Sequence, residues 1–369
     1  MTRLDTYDCE DLVLLAKNCS ESLVALKVGD CPFKYLVEIL RYADRLEDFG
    51  GSVHIDESDG NVVVANFPSK MIRSIALSHG SARHILGIRV CPNLEELYTS
   101  YAIGDLGLKH VGQICKKLRT VKIEKVHVNG DMLVSHTGLI DLAEGCPELE
   151  YLRVNVKDIT NDALECIGTH LKKLFDFCLI LDHKVEPVSD LPLDNGIRAL
   201  LGCTKLEKLG IHLRAGGLTD VGLGHVGKYG QNIKYLFLGL CGKCDIGRES
   251  DAGLIELLKW CPKLQKLDMK GCVFIQKALA TFVLNVTSLR YLWVQAYPIS
   301  ESSDTDYILA MARPFWNMEL IRYESDNADA PEGPIQQQPS SLLAYYSLAG
   351  QRKDFPDSVI PIYPPVDSE

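Results

Sequence analysis

The sequence predicts an α/β solenoid in which strand–loop–helix units stack along the chain, and three repeating features support this prediction. An LxxLxL-type spacing recurs through most of the 369 residues, a cysteine often precedes it, and a helix-start signal often follows it. One such unit cannot bury its own apolar face, so successive units must stack to form a core. We therefore expect a long repeat array.

The LxxLxL spacing marks the strands. Clear copies follow one another, after the first, at intervals of about 22 to 32 residues, close to the range of leucine-rich repeats. A degenerate copy near Leu46–Phe49 would halve the one long gap, and another lies near Met318–Ile321. This predicts a curved leucine-rich-repeat solenoid of about 10–12 repeats, with parallel strands on the concave face and helices outside. The clear copies are Leu23-Leu26-Val28, Ile72-Ile75-Leu77, Leu94-Leu97-Thr99, Leu118-Val121-Ile123, Leu149-Leu152-Val154, Leu174-Phe177-Leu179, Leu206-Leu209-Ile211, Ile233-Leu236-Leu238, Leu264-Leu267-Met269 and Leu289-Leu292-Val294.

The segments on either side of each strand repeat in phase with it. A cysteine leads into the strand in CPNLEEL at 91, CKKLRTV at 115, CPELEYL at 146, CTKLEKL at 203 and CPKLQKL at 261. A helix start follows in IGDLGL at 103, VSHTGL at 134, ITNDAL at 159, LTDVGL at 218 and SDAGL at 250. Ser, Thr or Asp at these starts can cap a helix by accepting a bond from its free N–H groups.

The domain organisation follows from the extent of the repeats. A doubly wound α/β sheet would show similar strand and helix spacing, but the leading cysteine and the LxxLxL pattern favour a solenoid over 1–325. A Pro-, Gln- and Ser-rich loop is predicted over 326–341, and a C-terminal cap and tail over 342–369. The segment LLAYYSLAGQR at 342–352 has helix-like apolar spacing, and we expect it to seal the last repeat.

Composition narrows the class of function. The 13 scattered cysteines, without an export signal, predict reduced thiols in the nucleus or cytoplasm. A formal charge of −10 argues against general nucleic-acid binding, and the apolar runs are too short for a membrane span. CGKC at 241–244 lacks a second ligand pair, so it is interpreted as a loop with two free thiols, and no metal site is predicted. No catalytic signature stands out, which favours a protein that is not an enzyme.

Strand alternation predicts the binding face. The residue between two inward apolar positions points to the opposite side of the sheet. On this rule the later repeats expose aromatic rings with flanking cations, a composition typical of recognition surfaces: Tyr235, Phe237, Tyr291, Trp293, Lys266 and Lys270. The alternative at any single position is an ordinary solvent-facing residue.

Five segments together resemble the plant coronatine-insensitive proteins. They are LPLDNGIRALL at 191–201, GGLTDVGL at 216–223, SLRYLWVQAY at 288–297, MARPFWNMELI at 311–321 and LLAYYSLAGQR at 342–352. The resemblance runs from about EDLVLLAKNC at 10–19 onward, and related auxin receptors share only the architecture. It identifies a member truncated at the N-terminus, because the family's F-box domain and early repeats are expected to be absent from the chain.

The resemblance implies a role in plant hormone signalling and defence. Family members are F-box proteins that join a Skp-type adaptor and a cullin in an SCF-type ubiquitin ligase. Their repeats bind jasmonoyl-isoleucine or coronatine, together with an inositol phosphate. The hormone completes a surface for jasmonate ZIM-domain repressors, which are then ubiquitinated and degraded. The implied location is nucleus and cytoplasm.

The resemblance also implies a ligand pocket, which diverges from the family pattern. Its residues here are Lys122, Asn155, Cys178, His212, Tyr235, Phe237, Lys270 and Trp293. The family has arginines and tyrosines at the first four positions and an arginine at the place of Lys270, whereas Trp293 matches outright. Tyr235 stands where a Trp is usual, and Phe237 replaces an aliphatic residue. Replacing Arg with Lys loses the bidentate fork, and one lost charge-assisted hydrogen bond costs about 1.5–3 kcal/mol, so the family's ligand should bind more weakly.

Two functional hypotheses remain open. The first is a substrate-recognition subunit of an SCF-type E3 ubiquitin ligase that acts as a jasmonate co-receptor for ZIM-domain repressors. The alternative is a divergent or truncated leucine-rich-repeat interaction protein that no longer binds hormone or the ligase adaptor. An enzyme is the least favoured reading, because regular arrays are usually scaffolds.

Overall fold

A computed structural model describes most of the repeat region. The described residues are 9–54, 71–77, 91–99, 103–124, 134–181, 191–214, 216–241, 251–270, 276–297, 316–322 and 340–346. The chain divides into two compact units. Unit 1 comprises Met1–Asp190 with Gly202–Lys205, and unit 2 comprises Leu191–Leu201 with Leu206–Glu369.

The described strands of unit 1 follow the order that the repeats predict, and helices are described between several of them. Its described elements are α1 (Cys9–Asn18), β1 (Ala25–Pro32), α2 (Phe33–Tyr42), β2 (Asp48–His54), β3 (Ser74–Leu77), β4 (Glu96–Thr99), α3 (Gly104–Ile114), β5 (Thr120–Ile123), α4 (His136–Gly145), β6 (Tyr151–Val156), α5 (Asn161–His170) and β7 (Asp176–Leu181). Strands β1 to β7 lie side by side in chain order, and every neighbouring pair is parallel. The degenerate copy is confirmed, because Leu46 and Phe49 are buried at the start of β2.

Unit 2 alternates helices and strands as far as its fourth strand and ends in two antiparallel strands. Its described elements are α6 (Asp194–Leu200), β8 (Lys208–Arg214), α7 (Asp220–Tyr229), β9 (Tyr235–Cys241), α8 (Ala252–Trp260), β10 (Lys266–Lys270), α9 (Gln276–Asn285), β11 (Tyr291–Tyr297), β12 (Trp316–Arg322) and β13 (Ser340–Tyr346). Strands β8 to β11 are parallel neighbours. Strand β13 then pairs antiparallel with β11, and β12 pairs antiparallel with β13.

Two predictions for the C-terminal segments are wrong in detail. The segment near Met318–Ile321 is a strand, but it is antiparallel and therefore does not start another parallel repeat. Residues 340–346 form β13 where the apolar spacing indicates a helix from 342, and this strand also begins within the predicted loop. The run LLAYY satisfies helical spacing and a continuous strand equally well, so pairing with β11 decides the outcome. Most of the predicted loop and residues 347–352 lie outside the described residues.

The LxxLxL residues form the core, and this confirms the leucine-rich-repeat fold. The residues at the first and second positions of the motif are buried from Ile72 and Ile75 onward, for example Leu149, Leu152, Leu206 and Leu209. Leu23 and Leu26 of the first copy are only half-buried. The residues between them alternate outward, so that β7 shows intermediate and buried positions in strict turn. Burial of each large aliphatic side chain contributes roughly 1.5–3 kcal/mol, which makes this row the main stabilising feature of each repeat.

The leading cysteines connect one repeat to the previous one. All five are buried, and four of them, each close to the end of a helix, donate from the thiol to a carbonyl oxygen of the preceding repeat: Cys115 to Cys91 at 3.6 Å, Cys146 to Cys115 at 3.5 Å, Cys203 to Ile167 at 3.7 Å and Cys261 to Val226 at 3.9 Å. Burial raises the pKa of Cys146 and Cys261 to about 12 and that of Cys203 to about 11. These thiols therefore stay protonated and serve as small hydrogen-bond donors.

The predicted helix caps are confirmed at three helices. Ser135 accepts from the Thr137 N–H, Thr160 from Ala163 and Thr219 from Val221. At α3 and α8 no side chain caps the helix in this way. Each satisfied cap contributes about 1 kcal/mol to helix stability, so the first turn is an important source of stability for these short helices.

Two of these caps are themselves held by an acid from the preceding helix. The Asp105 carboxylate accepts from the Ser135 N–H at 2.7 Å and from its hydroxyl at 2.6 Å. In unit 2, Asp194 accepts from the Thr219 N–H at 3.0 Å and from its hydroxyl. We call each arrangement an acid clasp. The clasps give the acids near the starts of α3 and α6 a structural role in addition to that of the caps.

Glycines set how closely neighbouring helices approach. A Cβ at Gly145 in α4 would overlap the backbone of Gly112 in α3. In unit 2, a Cβ at Gly227 in α7 would stand 2.7 Å from the Glu256 carbonyl oxygen in α8.

None of the described helices has the length and apolar content that crossing a bilayer requires.

Candidate recognition faces

The predicted pocket residues fall into two sets, one in each unit. Lys122, Asn155 and Cys178 lie on strands of unit 1. His212, Tyr235, Phe237, Lys270 and Trp293 lie on strands of unit 2. In each unit these positions alternate with the buried apolar ones, and we call the sheet surface they form the open face of that unit.

The open face of unit 1 carries a row of four residues on four neighbouring strands. Tyr98, Lys122, Arg153 and Cys178 are in register across β4, β5, β6 and β7. Lys122 is partly exposed, Arg153 is exposed and Cys178 is partly exposed. Because adjacent strands stand only about 4.7–4.9 Å apart, Arg153 has Lys122 on one side and Cys178 on the other.

One carboxylate joins the two cations of this row. Glu124, just beyond β5, places its Oε1 2.9 Å from Lys122 Nζ and 3.9 Å from Arg153 Nε. The three side chains are 39%, 44% and 51% exposed for Lys122, Glu124 and Arg153. Solvent screening at that exposure limits each pair to about 0–1 kcal/mol. The cations are therefore held loosely.

Cys178 and Asn155 have distinct environments on the same face. Burial raises the pKa of the Cys178 thiol, the nearby Arg153 guanidinium opposes that rise, and Asp176 and Glu124 add to it. The thiol is thus neutral near pH 7. Asn155 lies two residues beyond Arg153 on β6, and its buried Oδ1 has no hydrogen-bond partner in the part of the chain that the structure describes.

The open face of unit 2 alternates cations and rings. Lys208, Tyr235, Lys266 and Tyr291 are in register across β8 to β11. Lys208 Nζ lies 5.6 Å from the centroid of the Tyr235 ring, and Lys266 Nζ lies 4.8 Å from that of Tyr291. Such cation–π contacts contribute roughly 0.5–1 kcal/mol at exposed sites. They hold the lysine stems down along the sheet.

A second part of this face brings three predicted residues together. His212 and Phe237 pack with ring centroids 6.4 Å apart. His212 is in register with Gly239, and Gly239 with the exposed Lys270. A Cβ at Gly239 would stand 2.5 Å from His212 Cδ2 and 3.0 Å from Phe237 Cζ. A glycine is therefore required at 239 for the imidazole to lie beside the Phe237 ring.

The prediction that Tyr291 and Trp293 are exposed is wrong. Only 7% of Tyr291 and 1% of Trp293 are exposed, and Trp293 is among the largest fully buried side chains. The reason is that β11 is not the end of the sheet: β13 pairs along it, with Leu343 in register with Trp293 and Tyr345 with Tyr291. Tyr235, at 38% exposed, remains the accessible ring of its row.

The predicted pocket leaves out Arg153 and Glu124, although strand alternation places both on the outward side of the sheet. Glu124 pairs with both Lys122 and Arg153, and the positive charge of Arg153 acts on Cys178. Counting strictly from the second apolar position of each LxxLxL copy places Arg153 level with Lys122 and Cys178. That signal was available in the sequence.

Metal binding has no support among the described residues, where no group of three or more His, Cys, Asp or Glu could hold an ion. Cys241 ends β9, while 242–250, with the rest of CGKC, lie outside the described residues. The prediction of two free thiols there is untested.

The fold defines a leucine-rich-repeat protein whose strands carry two open faces. The "Coronatine-insensitive protein homolog 2" of rice is 42% identical over 96% of this chain and 64% of its own length. "Coronatine-insensitive protein 1" of Arabidopsis thaliana is 42% identical over 99% of this chain and 66% of its own length. A "Transport inhibitor response 1-like protein" of rice is 27% identical over 78% of this chain and 48% of its own length.

The chain belongs to the coronatine-insensitive protein family. It spans slightly less than two thirds of the length of these curated relatives. No protein-family model matches the chain. Among solved structures, the Rad7 and Elc1 complex of yeast matches 72% of this chain and 67% of that chain, with a TM-score of 0.47 and 18% identity.

Proposed function

We propose that the chain recognises substrates for an SCF-type ubiquitin ligase in jasmonate signalling. It binds jasmonate ZIM-domain repressors in the presence of jasmonoyl-isoleucine or coronatine, and it performs no catalysis. Membership of the coronatine-insensitive family supports this proposal, and so does the similarity of the chain to an F-box protein of Arabidopsis, which is 29% identical over 73% of this chain.

The observation that carries the proposal is the exposed ring of Tyr235 between Lys208 and Lys266 on the open face of unit 2. Jasmonoyl-isoleucine combines an apolar ring and side chains with one carboxylate. Tyr235 offers exposed aromatic surface, and Lys208 offers a cation 5.6 Å from that ring. Exposed aromatic anchors beside cations are the composition of binding hot spots, so this row suits a ligand that is both apolar and anionic.

The remaining parts of the proposal concern the assembly. A Skp-type adaptor and a cullin are the proposed partners of any F-box carried with these repeats. An inositol phosphate is the proposed cofactor, because anionic phosphates pair with exposed lysines and arginines on an open face. The nucleus and cytoplasm are the proposed locations.

One observation favours a second candidate, a repeat protein that binds partners without hormone. Cys178 occupies a position for which the family resemblance implies an arginine, and burial keeps its thiol neutral. A face that lacks this cation loses at least one charge-assisted contact to a carboxylate.

Fluorescence anisotropy of a labelled ZIM-domain repressor peptide tests the proposal. The chain is titrated with and without jasmonoyl-isoleucine and an inositol phosphate, and hormone-dependent binding is expected. Tyr235→Ser should weaken that binding at least about tenfold, because an aromatic anchor typically contributes about 2 kcal/mol or more.

The matched control is Tyr229→Ser. Tyr229 is 44% exposed and has Lys228 Nζ 5.4 Å from its ring centroid, but it lies on helix α7 and not on the sheet. This variant should bind as the wild type does. Binding that is equal with and without hormone would instead favour the second candidate, and absence of binding in every condition would contradict both.

A further inference from the structure

Two neighbouring helices of unit 2, α7 and α8, carry exposed apolar side chains on the outer surface, away from the open face. The helices are in direct contact, because a Cβ at Gly227 would stand 2.7 Å from the Glu256 carbonyl oxygen. Among the described residues of α3, α4 and α5 in unit 1, by contrast, Leu106 is the one large apolar side chain that is exposed. We call the four exposed side chains of α7 and α8 the helix-face patch: Val221 (61% exposed), Tyr229 (44%), Ile255 (49%) and Trp260 (47%).

Each aromatic ring of the patch is held by the side chain four residues earlier on its own helix. In α7, the His225 ring packs against the Tyr229 ring with centroids 5.9 Å apart. In α8, Trp260 Nε1 donates to Glu256 Oε2 at 3.0 Å. Residues four apart face each other on a helix, so these contacts orient both rings before any partner arrives. A ring that is already oriented loses less conformational entropy on binding.

A lysine directly precedes each of these rings. Lys228 Nζ lies 5.4 Å from the centroid of the Tyr229 ring. Lys259 precedes Trp260, and its Nζ donates to Glu256 Oε1 at 2.8 Å, with the two side chains 52% and 38% exposed. Solvent screens an ion pair at that exposure, so Lys259 can exchange this carboxylate for another at little cost. Both helices therefore end in the same arrangement of a cation beside an exposed ring.

The charge of this surface indicates what covers it. In the C-terminal halves of α7 and α8, two lysines stand against one carboxylate, Glu256. Hydrogen bonds from Lys259 and Trp260 lower the pKa of Glu256, so this carboxylate is ionised and already used as an acceptor. A second copy of the chain would bring the same two lysines against the first pair. An acidic partner instead matches the surface in charge, and such complementarity determines which partners bind.

We infer that the helix-face patch binds an acidic amphipathic segment of a partner protein. The apolar side of the segment contacts the four side chains of the patch, and its carboxylates pair with Lys228 and Lys259. Helices that dock on apolar surfaces present their anchors at positions i, i+3 or i+4, and i+7. Oriented rings with flanking cations have the composition of a binding hot spot. This surface is separate from both open faces and does not rest on the proposed function.

A labelled helical peptide with leucine along one side and glutamate elsewhere provides the probe. Binding to the chain is followed by fluorescence anisotropy. Trp260→Ser should weaken binding at least about tenfold, because it removes an aromatic anchor. Leu106→Ser is the matched control, since it removes an exposed apolar side chain from α3 in unit 1 and should bind the peptide as the wild type does. All the changed side chains are exposed, so each variant should melt at the temperature of the wild type.

Charge reversal tests the chemistry of the partner. Lys228→Glu/Lys259→Glu should weaken binding of the acidic peptide at least about tenfold and should not weaken binding of a companion peptide with lysine in place of glutamate. The control with the same change in net charge is Lys109→Glu/Lys117→Glu, which alters two exposed lysines of unit 1. A loss of the same size in both double variants would mean that only net charge matters, and it would overturn the inference.

Tryptophan emission reports where the peptide binds. The unlabelled peptide contains no tryptophan, so burial of Trp260 should shift the emission of the chain to shorter wavelength. Trp260→Phe keeps an aromatic anchor and should retain most of the affinity without this shift.

Three outcomes would overturn the inference. The first is that the acidic peptide does not bind. The second is that Tyr235→Ser abolishes binding while Trp260→Ser does not, which would place the peptide on the open face of unit 2. The third is a dimer in analytical ultracentrifugation that Trp260→Ser dissociates, which would assign the patch to a second copy of the chain. Each outcome is independent of hormone, so the proposed function can fail while this surface stands.

Discussion

The open faces of the two units rest on the same backbone arrangement and carry different chemistry. In unit 1, the row across β4 to β7 holds two cations joined by one carboxylate beside a neutral thiol. In unit 2, the row across β8 to β11 alternates lysines with tyrosine rings. Buried residues and the contacts between neighbouring helices build the frame, so the outward positions are free to differ. The difference separates what builds the repeat from what the repeat recognises.

The largest expected effect tests whether close helix contacts support the same frame in both units. Gly145→Ala in unit 1 and Gly227→Ala in unit 2 should each lower the free energy of unfolding by about 1–3 kcal/mol or more, because the new methyl group meets backbone that cannot turn aside. Urea unfolding followed by circular dichroism measures this.

Gly224→Ala is the matched control in the same helix. A Cβ at Gly224 would lie 3.8 Å from the nearest atoms of Glu256, which is ordinary contact. Since alanine favours the helix over glycine by up to about 1 kcal/mol, this variant should be neutral or more stable. Equal destabilisation by Gly224→Ala and Gly227→Ala would show that helix spacing is not set at 227.

The acid clasps give the next largest effect, and it should again be similar in both units. Asp105→Ala and Asp194→Ala each remove a carboxylate that accepts two bonds from the next cap, at a cost of about 2 kcal/mol. Asp162→Ala is the comparison, since Asp162 is exposed in the first turn of α5 and its loss should cost only about 0.3–1 kcal/mol. Thermal melts that rank Asp162→Ala with the other two would argue against the clasp.

The smallest effect should occur on only one face. Glu124→Gln frees Lys122 and Arg153 from their carboxylate, so binding of the proposed inositol phosphate to the open face of unit 1 should strengthen by about two- to fivefold, the scale of one exposed ion pair. Glu148→Gln breaks the exposed pair with Lys173 and should leave affinity unchanged. Weaker binding after Glu124→Gln would mean that Glu124 positions the cations.

Sequence reasoning reached the frame because its signals are local. Leucine spacing, the leading cysteine and the caps at Ser135, Thr160 and Thr219 each depend on neighbouring residues. It failed for Trp293 because the strand that pairs beside it, at 340–346, comes after a long intervening segment. No local pattern at 293 records that pairing.

Only part of the candidate site could be predicted from the sequence, and the reason is different. Matching residues to family positions one at a time identifies Cys178 as the loss of a cation, but it does not reveal the cation on the neighbouring strand. The register across β6 and β7 puts Arg153 directly beside it. The charges that this surface carries are visible only when neighbouring strands are compared together.

The acid clasp of unit 2 also affects local opening of that unit, the motion that exposes backbone amides to solvent. Besides the bonds from Thr219 to Asp194, the Leu193 N–H donates to the Gly217 carbonyl oxygen at 2.9 Å. The starts of α6 and α7 thus hold each other, although a whole strand separates them along the chain. Amide protons at Leu193 and Thr219 should consequently exchange with deuterium through one shared opening event, which makes the two helix starts a single cooperative unit.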